Sequence, residues 1–189
     1  MNKELLNVGD LGLVHGTGFL SKAIQFFMGI YHKHIGLPKV EKLYNHAFAV
    51  VELWGQLYIA EALADGINIQ PVEKAYPNGK WENIKLMSPK KPYSKVEKEE
   101  FNKIVLAYAL EPTRYDFSNF IFHARAILSK KGYDVWSGKT GEAAEKRLHC
   151  SEAVATWSNK VRPNTFDRPW ATNLVDIEIN KYYGEKSIL

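Results

Sequence analysis

Residues 46–63 read HAFAVVELWGQLYIAEAL, two apolar runs separated by Trp54, Gly55 and Gln56. Each run has the length and composition of a strand buried on both faces, so a central β-hairpin is expected. Two residues in it do not belong to an apolar sheet. His46 opens the first strand, and Glu61 sits inside YIAEALA, where a carboxylate is costly unless something pairs with it. Register arithmetic tests whether they pair with each other. If the loop is Trp54–Gly55, or the four residues 53–56, paired residue numbers sum to 109, so that His46 faces Leu63 and Glu61 faces Phe48. The two polar residues are then diagonal neighbours on one face, roughly 7 Å apart at the backbone. A loop with an odd number of residues and no bulge puts them on opposite faces.

Outward from the hairpin, LGLV at 11–14 is a short strand, and TGFLSKAIQFFMGIY (17–31) repeats Leu20, Ala23, Ile24, Phe27 and Met28 at helical spacing. The polar stretch HKHIGLPKVEKLYN (32–45) carries Pro38 and reads as an exposed loop. INIQPV (67–72) and WENIKLM (81–87) are shorter strands, the first held to an edge or a strand end by Pro71. SKVEKEEFNKIVLAYAL (94–110) is a helix that opens with Ser94 and Glu97 in capping-box spacing, buries Phe101, Ile104, Val105 and Tyr108, and stops before Pro112. DFSNFIFHARAIL (116–128) is expected to be a further helix, and GYDVWSGKTG (132–141) a loop.

The chain has one cysteine, Cys150, in KRLHCSEAVATW (146–157). Ala153, Val154 and Trp157 follow it at three, four and seven residues, which places Cys150 on the inward face in the first turn of a helix. Backbone N–H groups at a helix start are unpaired by the helix, and the dipole there favours a thiolate. A thiolate nucleophile needs a base, normally His, and a polar group that orients it. His46 and Glu61 supply that pair on the hairpin. His34, in HIG, is the competing base, but Pro38 and the charges after it argue against a strand there.

These segments resemble the circularly permuted NlpC/P60 group of papain-like cysteine amidases and peptidases, in its YiiX/YaeF-like form. The resemblance covers nearly the whole chain. It is carried by GDLGLV (9–14), NHAFAVVE (45–52), IAEALADGINIQPV (59–72), RYDF (114–117) and HCSEAVATW (149–157). It implies an α+β, permuted papain-like fold over 1–189, with a small antiparallel sheet or partial barrel against helices. It also implies Cys150 as nucleophile, His46 as base and Glu61 as the orienting residue. Tyr115 matches an aromatic near the family's pocket. With His15, in the Gly-flanked VHGTG, and Ser151, beside the nucleophile, it is a candidate for substrate contact. The implied activity is hydrolysis of an amide or ester through an acyl-enzyme, on a cell-wall peptide or an acylated molecule, with no cofactor. A thiol acyltransferase would use the same residues, and a non-catalytic peptide- or amino-acid-binding module would keep the pocket without turnover.

Composition narrows the remaining classes. One domain is expected, because 189 residues at 46% apolar content can bury a single full core. A lone cysteine allows no intrachain disulfide and no multi-thiolate metal site. The +4 charge is spread in short Lys pairs with no nucleic-acid motif, so a nucleic-acid partner is not expected. His32 and His34 lack a third metal ligand. His123 falls mid-helix among apolar residues, and His149, next to Cys150, is expected at the surface or behind the site. GTGFLSK lacks the spacing of a phosphate loop. No apolar run approaches the ~18 residues of a membrane span, and MNKELLNVGD has no signal-peptide core, so the default location is cytoplasmic, or periplasmic or secreted if a leader has been removed.

Overall fold

A computed structural model of the chain describes residues 5–38, 42–77, 81–111, 114–115, 147–169 and 172–187. The expected helix 116–128 with His123, and the loop 132–141 with Trp136, lie outside the described residues. The fold is α+β. Its strands are β1 (Leu11–Val14), β2 (His46–Leu53), β3 (Gln56–Leu63), β4 (Gly66–Pro71), β5 (Ile84–Pro89), β6 (Arg114–Tyr115), β7 (Arg147–Leu148) and β8 (Tyr183–Lys186). Its helices are α1 (Phe19–His34), α2 (Val72–Ala75), α3 (Lys95–Leu110), α4 (Cys150–Val161) and α5 (Leu174–Glu178). Six strands form one open antiparallel sheet in the order β4-β3-β2-β1-β5-β8, and β6 and β7 pair in parallel beside it.

The hairpin β2–β3 turns on Trp54 and Gly55, both at positive φ (53° and 74°), the geometry of a two-residue type I′ turn. Pairs run from Leu53 opposite Gln56 to Ala49 opposite Ala60, so the residue numbers sum to 109 as expected. Beyond Ala49 the ladder departs from expectation. Residues 46–48 of β2 pair with β1 and residues 61–63 of β3 pair with β4, so the direct pairings His46–Leu63 and Phe48–Glu61 do not form. The two strands separate at this end, while the alternation of faces along each continues.

Alternation gives the sheet two buried faces. One presents Leu11, Leu13, Ala47, Ala49, Val51, Ala60 and Ala62 to α3 and α4, which contribute Phe101, Val105, Ala153, Val154 and Trp157. The run of alanines lets α4 approach the strands closely. The other face presents Phe48, Val50, Ile59 and Leu86 to Leu6, Val72 and Trp81. Gly12 lies opposite Phe48 in the β1–β2 register, and the aromatic ring occupies the space where a Cβ at position 12 would be.

Several boundaries have local causes. Ser94 and Glu97 form the expected capping box of α3, and Pro71 ends β4, an edge strand. The segment Trp81–Asn83 is a 3-10 turn, so the strand read at 81–87 starts only at Ile84. Helix α1 runs through His34, three residues into the stretch read as loop. His32, Lys33 and His34 complement the negative end of its dipole, and Gly36 at φ 75° follows the helix end. His32 is accordingly buried rather than in an exposed loop.

Helix α4 is fixed at both ends. At its C-terminus Arg162 bonds both carboxylate oxygens of Glu97 (2.6 and 2.9 Å) and the carbonyls of Lys91 and Pro92, tying it to the start of α3. At its N-terminus Ser151 Oγ donates to the Thr172 carbonyl (2.8 Å). Replacing Gly12 by Ala forces Phe48 out of its position and is expected to lower unfolding stability by about 1–3 kcal/mol, read from the urea midpoint. An unchanged midpoint would show that Phe48 does not rest on Gly12.

Candidate active site

Strand β7 delivers the chain into α4 through His149, the helix cap. His149 Nδ1 accepts from the Glu152 N–H (3.1 Å), and Glu152 Oε2 accepts from the His149 N–H (3.2 Å). His149 is buried behind Cys150 and not at the surface. The motif HCSE has capping-box spacing with His in the place of Ser or Thr, a signal the sequence carries. The box fixes the first turn of α4, and with it Cys150 as the first helical residue, 6% exposed.

Cys150 belongs to the helix-facing core, whereas Glu61 shares the opposite face of the sheet with Ile59 and Phe48. His46 connects them from the strand end. Its Nε2 lies 2.7 Å from Glu61 Oε2, and the ring also hydrogen-bonds the Cys150 side chain. With Nε2 engaged by Glu61, Nδ1 is the ring nitrogen left for the sulfur. The sulfur further accepts from the backbone N–H groups of Ala47 and Ser151. An Ala47 N–H paired with β3 would be unavailable to it, so the separation of β2 and β3 beyond Ala49 is what frees this donor.

The electrostatics follow from these contacts. Burial opposes charge on His46, but the Cys150 thiolate, by its charge and its hydrogen bond, and then Glu61 outweigh it and hold the imidazolium well above its ordinary pKa. Burial likewise opposes a Cys150 thiolate. The His46 charge and hydrogen bond and the two backbone N–H groups overcome that penalty and hold the thiol below its ordinary value. About a fifth of the His46 side chain remains exposed to solvent.

Glu61 is held by more than His46. Gln70 Nε2 donates to Oε1 (3.2 Å) and the Tyr76 hydroxyl to Oε2 (3.3 Å). Burial raises the carboxyl's pKa, and the His46 bond and charge followed by the Gln70 and Tyr76 bonds bring it below the ordinary value. Tyr76 is kept protonated far above its usual range by burial and then by the Glu61 charge. Its ring stacks on Phe48 at 5.1 Å, and its carbonyl accepts from Trp81 Nε1 (2.8 Å). Neither Gln70 nor Tyr76 was expected from sequence. Gln70 was reachable by the same arithmetic: β3 and β4 pair so that numbers sum to 129, which puts Gln70 opposite Ile59 and on the face of Glu61.

The substrate-contact candidates separate. Ser151 has its hydroxyl engaged by Thr172, and it is its N–H that meets the sulfur. His15 lies at the end of β1, where Nδ1 donates to the Leu43 carbonyl (2.7 Å). It belongs to a polar knot in which Asn45 Oδ1 accepts from the Gly16 N–H and Asn45 Nδ2 donates to Ser21 Oγ (3.0 Å). This knot clamps the β1–α1 loop to the residue preceding His46. Tyr115 pairs with Leu148 through the backbone, two positions before Cys150; its side chain lies outside the description.

No protein-family model matches the chain, and no curated protein does. The fold is similar to a solved structure, the metalloprotein yiiX (DUF1105) of Escherichia coli O157:H7, with a TM-score of 0.64 over 97% of each chain at 15% identity. That likeness is one of fold. Among the described residues no three His, Cys, Asp or Glu side chains are grouped as metal ligands would be, and His46 and Glu61 spend their facing atoms on each other. The described residues do not fit a metal ion. Among the described residues, too, no helix is long and apolar enough to cross a membrane.

The Cys150–His46 coupling predicts that the His46 ring, followed by NMR, stays protonated above the ~6.5 of a free imidazole, and that both Glu61→Gln and Cys150→Ser lower its pKa. A His46 resonance titrating near 6.5 and indifferent to both substitutions would contradict the pairing.

Proposed function

We propose that the chain is a cysteine hydrolase that cleaves an amide or ester through a Cys150 acyl-enzyme. The observation that carries this reading is the continuous hydrogen-bonded line from Cys150 through His46 to Glu61, with the sulfur at a helix start. A buried structural thiol has no use for an imidazole that is itself oriented by a carboxylate with two further donors. The chain order, His-bearing strand before Cys-bearing helix, is that of the permuted papain-like NlpC/P60 group, whose fold and substrates we extend to this protein as part of the proposal.

The chemistry proceeds in two halves. The Cys150 thiolate attacks the carbonyl carbon, forming the C–S bond while the carbonyl π electrons move to oxygen. The Cys150 N–H, at the first helical position and so without an intrahelical acceptor, is placed to receive that oxyanion. The His46 imidazolium gives its proton to the departing nitrogen or oxygen, and a thioester remains. Water then gives a proton to His46 and adds to the thioester. Collapse of that adduct expels the thiolate, releases the acid and restores the ion pair. Glu61 acts on the ring, holding its tautomer and orientation and stabilising its charge, and the Gln70 and Tyr76 bonds keep Glu61 ionised. Substrates are taken to be cell-wall peptides or acyl-bearing amides and esters, and water or another nucleophile accepts the acyl group.

The pH profile follows from the two shifts. Activity falls on the acid side as the thiolate is protonated, at a pH below the ~8.5 of a free thiol, and on the alkaline side as the raised His46 pKa is passed, leaving a plateau between the two. Cys150→Ser should abolish turnover of p-nitrophenyl esters and the acyl adduct seen by intact mass, with circular dichroism unchanged; equal turnover in that variant would reject the covalent mechanism. Glu61→Gln should lower kcat roughly 10–100-fold and leave an adduct that forms slowly. Loss of stability with kcat retained would make Glu61 a structural group.

A further inference from the structure

Helix α1 has a surplus that neither the core nor the site uses. Its inward side, Met28 with Ile24, Phe27, Ile30 and Tyr31, packs on the main core. Among its residues 19–33 whose side chains are described, the exposed ones are Phe19, Lys22, Phe26 and Lys33. At 3.6 residues per turn these four fall within about 60° of arc, a single stripe that alternates Phe and Lys along the helix. Phe19 is 92% and Phe26 65% exposed, so both rings stand in solvent along one line of the helix. No acidic residue occurs anywhere in α1, and neither Lys22 nor Lys33 is paired with a carboxylate among the described residues. The start of the helix is anchored beside the candidate site, with Ser21 bonded to Asn45 and Gln25 Nε2 donating to the Gly16 carbonyl (2.8 Å).

We propose that the Phe19–Lys22–Phe26–Lys33 stripe docks α1 flat on an anionic lipid bilayer. The two rings enter the boundary between headgroups and acyl chains, and the two ammonium groups meet lipid phosphates. Apolar rings interleaved with unpaired cations and free of acids are the composition that an anionic interface selects; a docking surface for a protein would need matching acidic and apolar groups on one partner. The docking stands on α1 alone. That it brings acyl-bearing substrate to Cys150 rests on the proposed hydrolase reading, and the Cys150→Ser protein separates the two, because it should still bind.

The test is co-sedimentation of the full chain with vesicles of phosphatidylcholine alone and of equal parts phosphatidylcholine and phosphatidylglycerol, at low and raised salt. Wild type and Cys150→Ser should bind the anionic vesicles, more weakly as salt rises, and bind the neutral ones poorly. Phe19→Ser/Phe26→Ser should weaken binding at least tenfold, as should Lys22→Glu/Lys33→Glu, with melting temperatures kept because all four side chains are on the surface. Absence of wild-type binding to both vesicles, or equal binding by both double variants, overturns the proposal. A wild-type dimer in sedimentation velocity that Phe19→Ser/Phe26→Ser dissociates also overturns it, assigning the stripe to a second copy of the chain.

Discussion

The candidate site depends on His46, which reaches the Cys150 sulfur and the Glu61 carboxylate together from the first position of β2. A thiol on a helix packed against one face of a sheet cannot ordinarily reach a carboxylate on the other face. Here β2 and β3 separate beyond the Ala49–Ala60 pair, each keeping its outer partner, so the sheet remains continuous through β1 and β4. The opening lies where α4 begins. His46, the first residue of β2, then joins the two faces, and a row of alanines at 47, 49, 60 and 62 lets the helix come close enough for the contact.

The energetics make the three side chains mutually dependent. Each is buried or nearly so, and burial alone would neutralise all three. The thiolate is tolerated because the imidazolium faces it, the imidazolium because thiolate and carboxylate flank it, and the carboxylate because Gln70 and Tyr76 donate to it as well. Charge is thus held inside the protein by hydrogen bonds from several elements, and the elements themselves are pinned: α4 by the His149–Glu152 box in front and the Arg162–Glu97 pair behind, and the start of β2 by the Asn45 knot. Such pre-organisation is costly to build and is what a reacting site needs.

Much of this was legible in the sequence, for identifiable reasons. The hairpin register follows from strand length and a two-residue turn, so the side of the sheet on which His46 and Glu61 meet could be computed. The position of Cys150 follows from helical spacing to Ala153, Val154 and Trp157. What local patterns miss is where a ladder stops: β2 and β3 part beyond Ala49 and Ala60, each pairing on with its outer neighbour, and Ala47 carries no sign of it. Tyr76 is similarly invisible, since it reaches Glu61 from a turn whose placement depends on Phe48 and Trp81. Of the two positions open to His149, at the surface or behind the site, it takes the second, because a cap residue precedes the helix and folds back onto it. The extra turn of α1 came from its basic end and Gly36, which outweighed the polar composition.

The rate of Cys150 alkylation by iodoacetamide as a function of pH, in the native protein and in His46→Ala, tests the thiolate–imidazolium pair most directly. The pairing predicts a native reactivity pKa below the ~8.5 of a free thiol and a rise of that pKa when the imidazole is removed. Slow alkylation whose pH dependence is the same with and without His46 would contradict it and leave Cys150 a buried structural thiol.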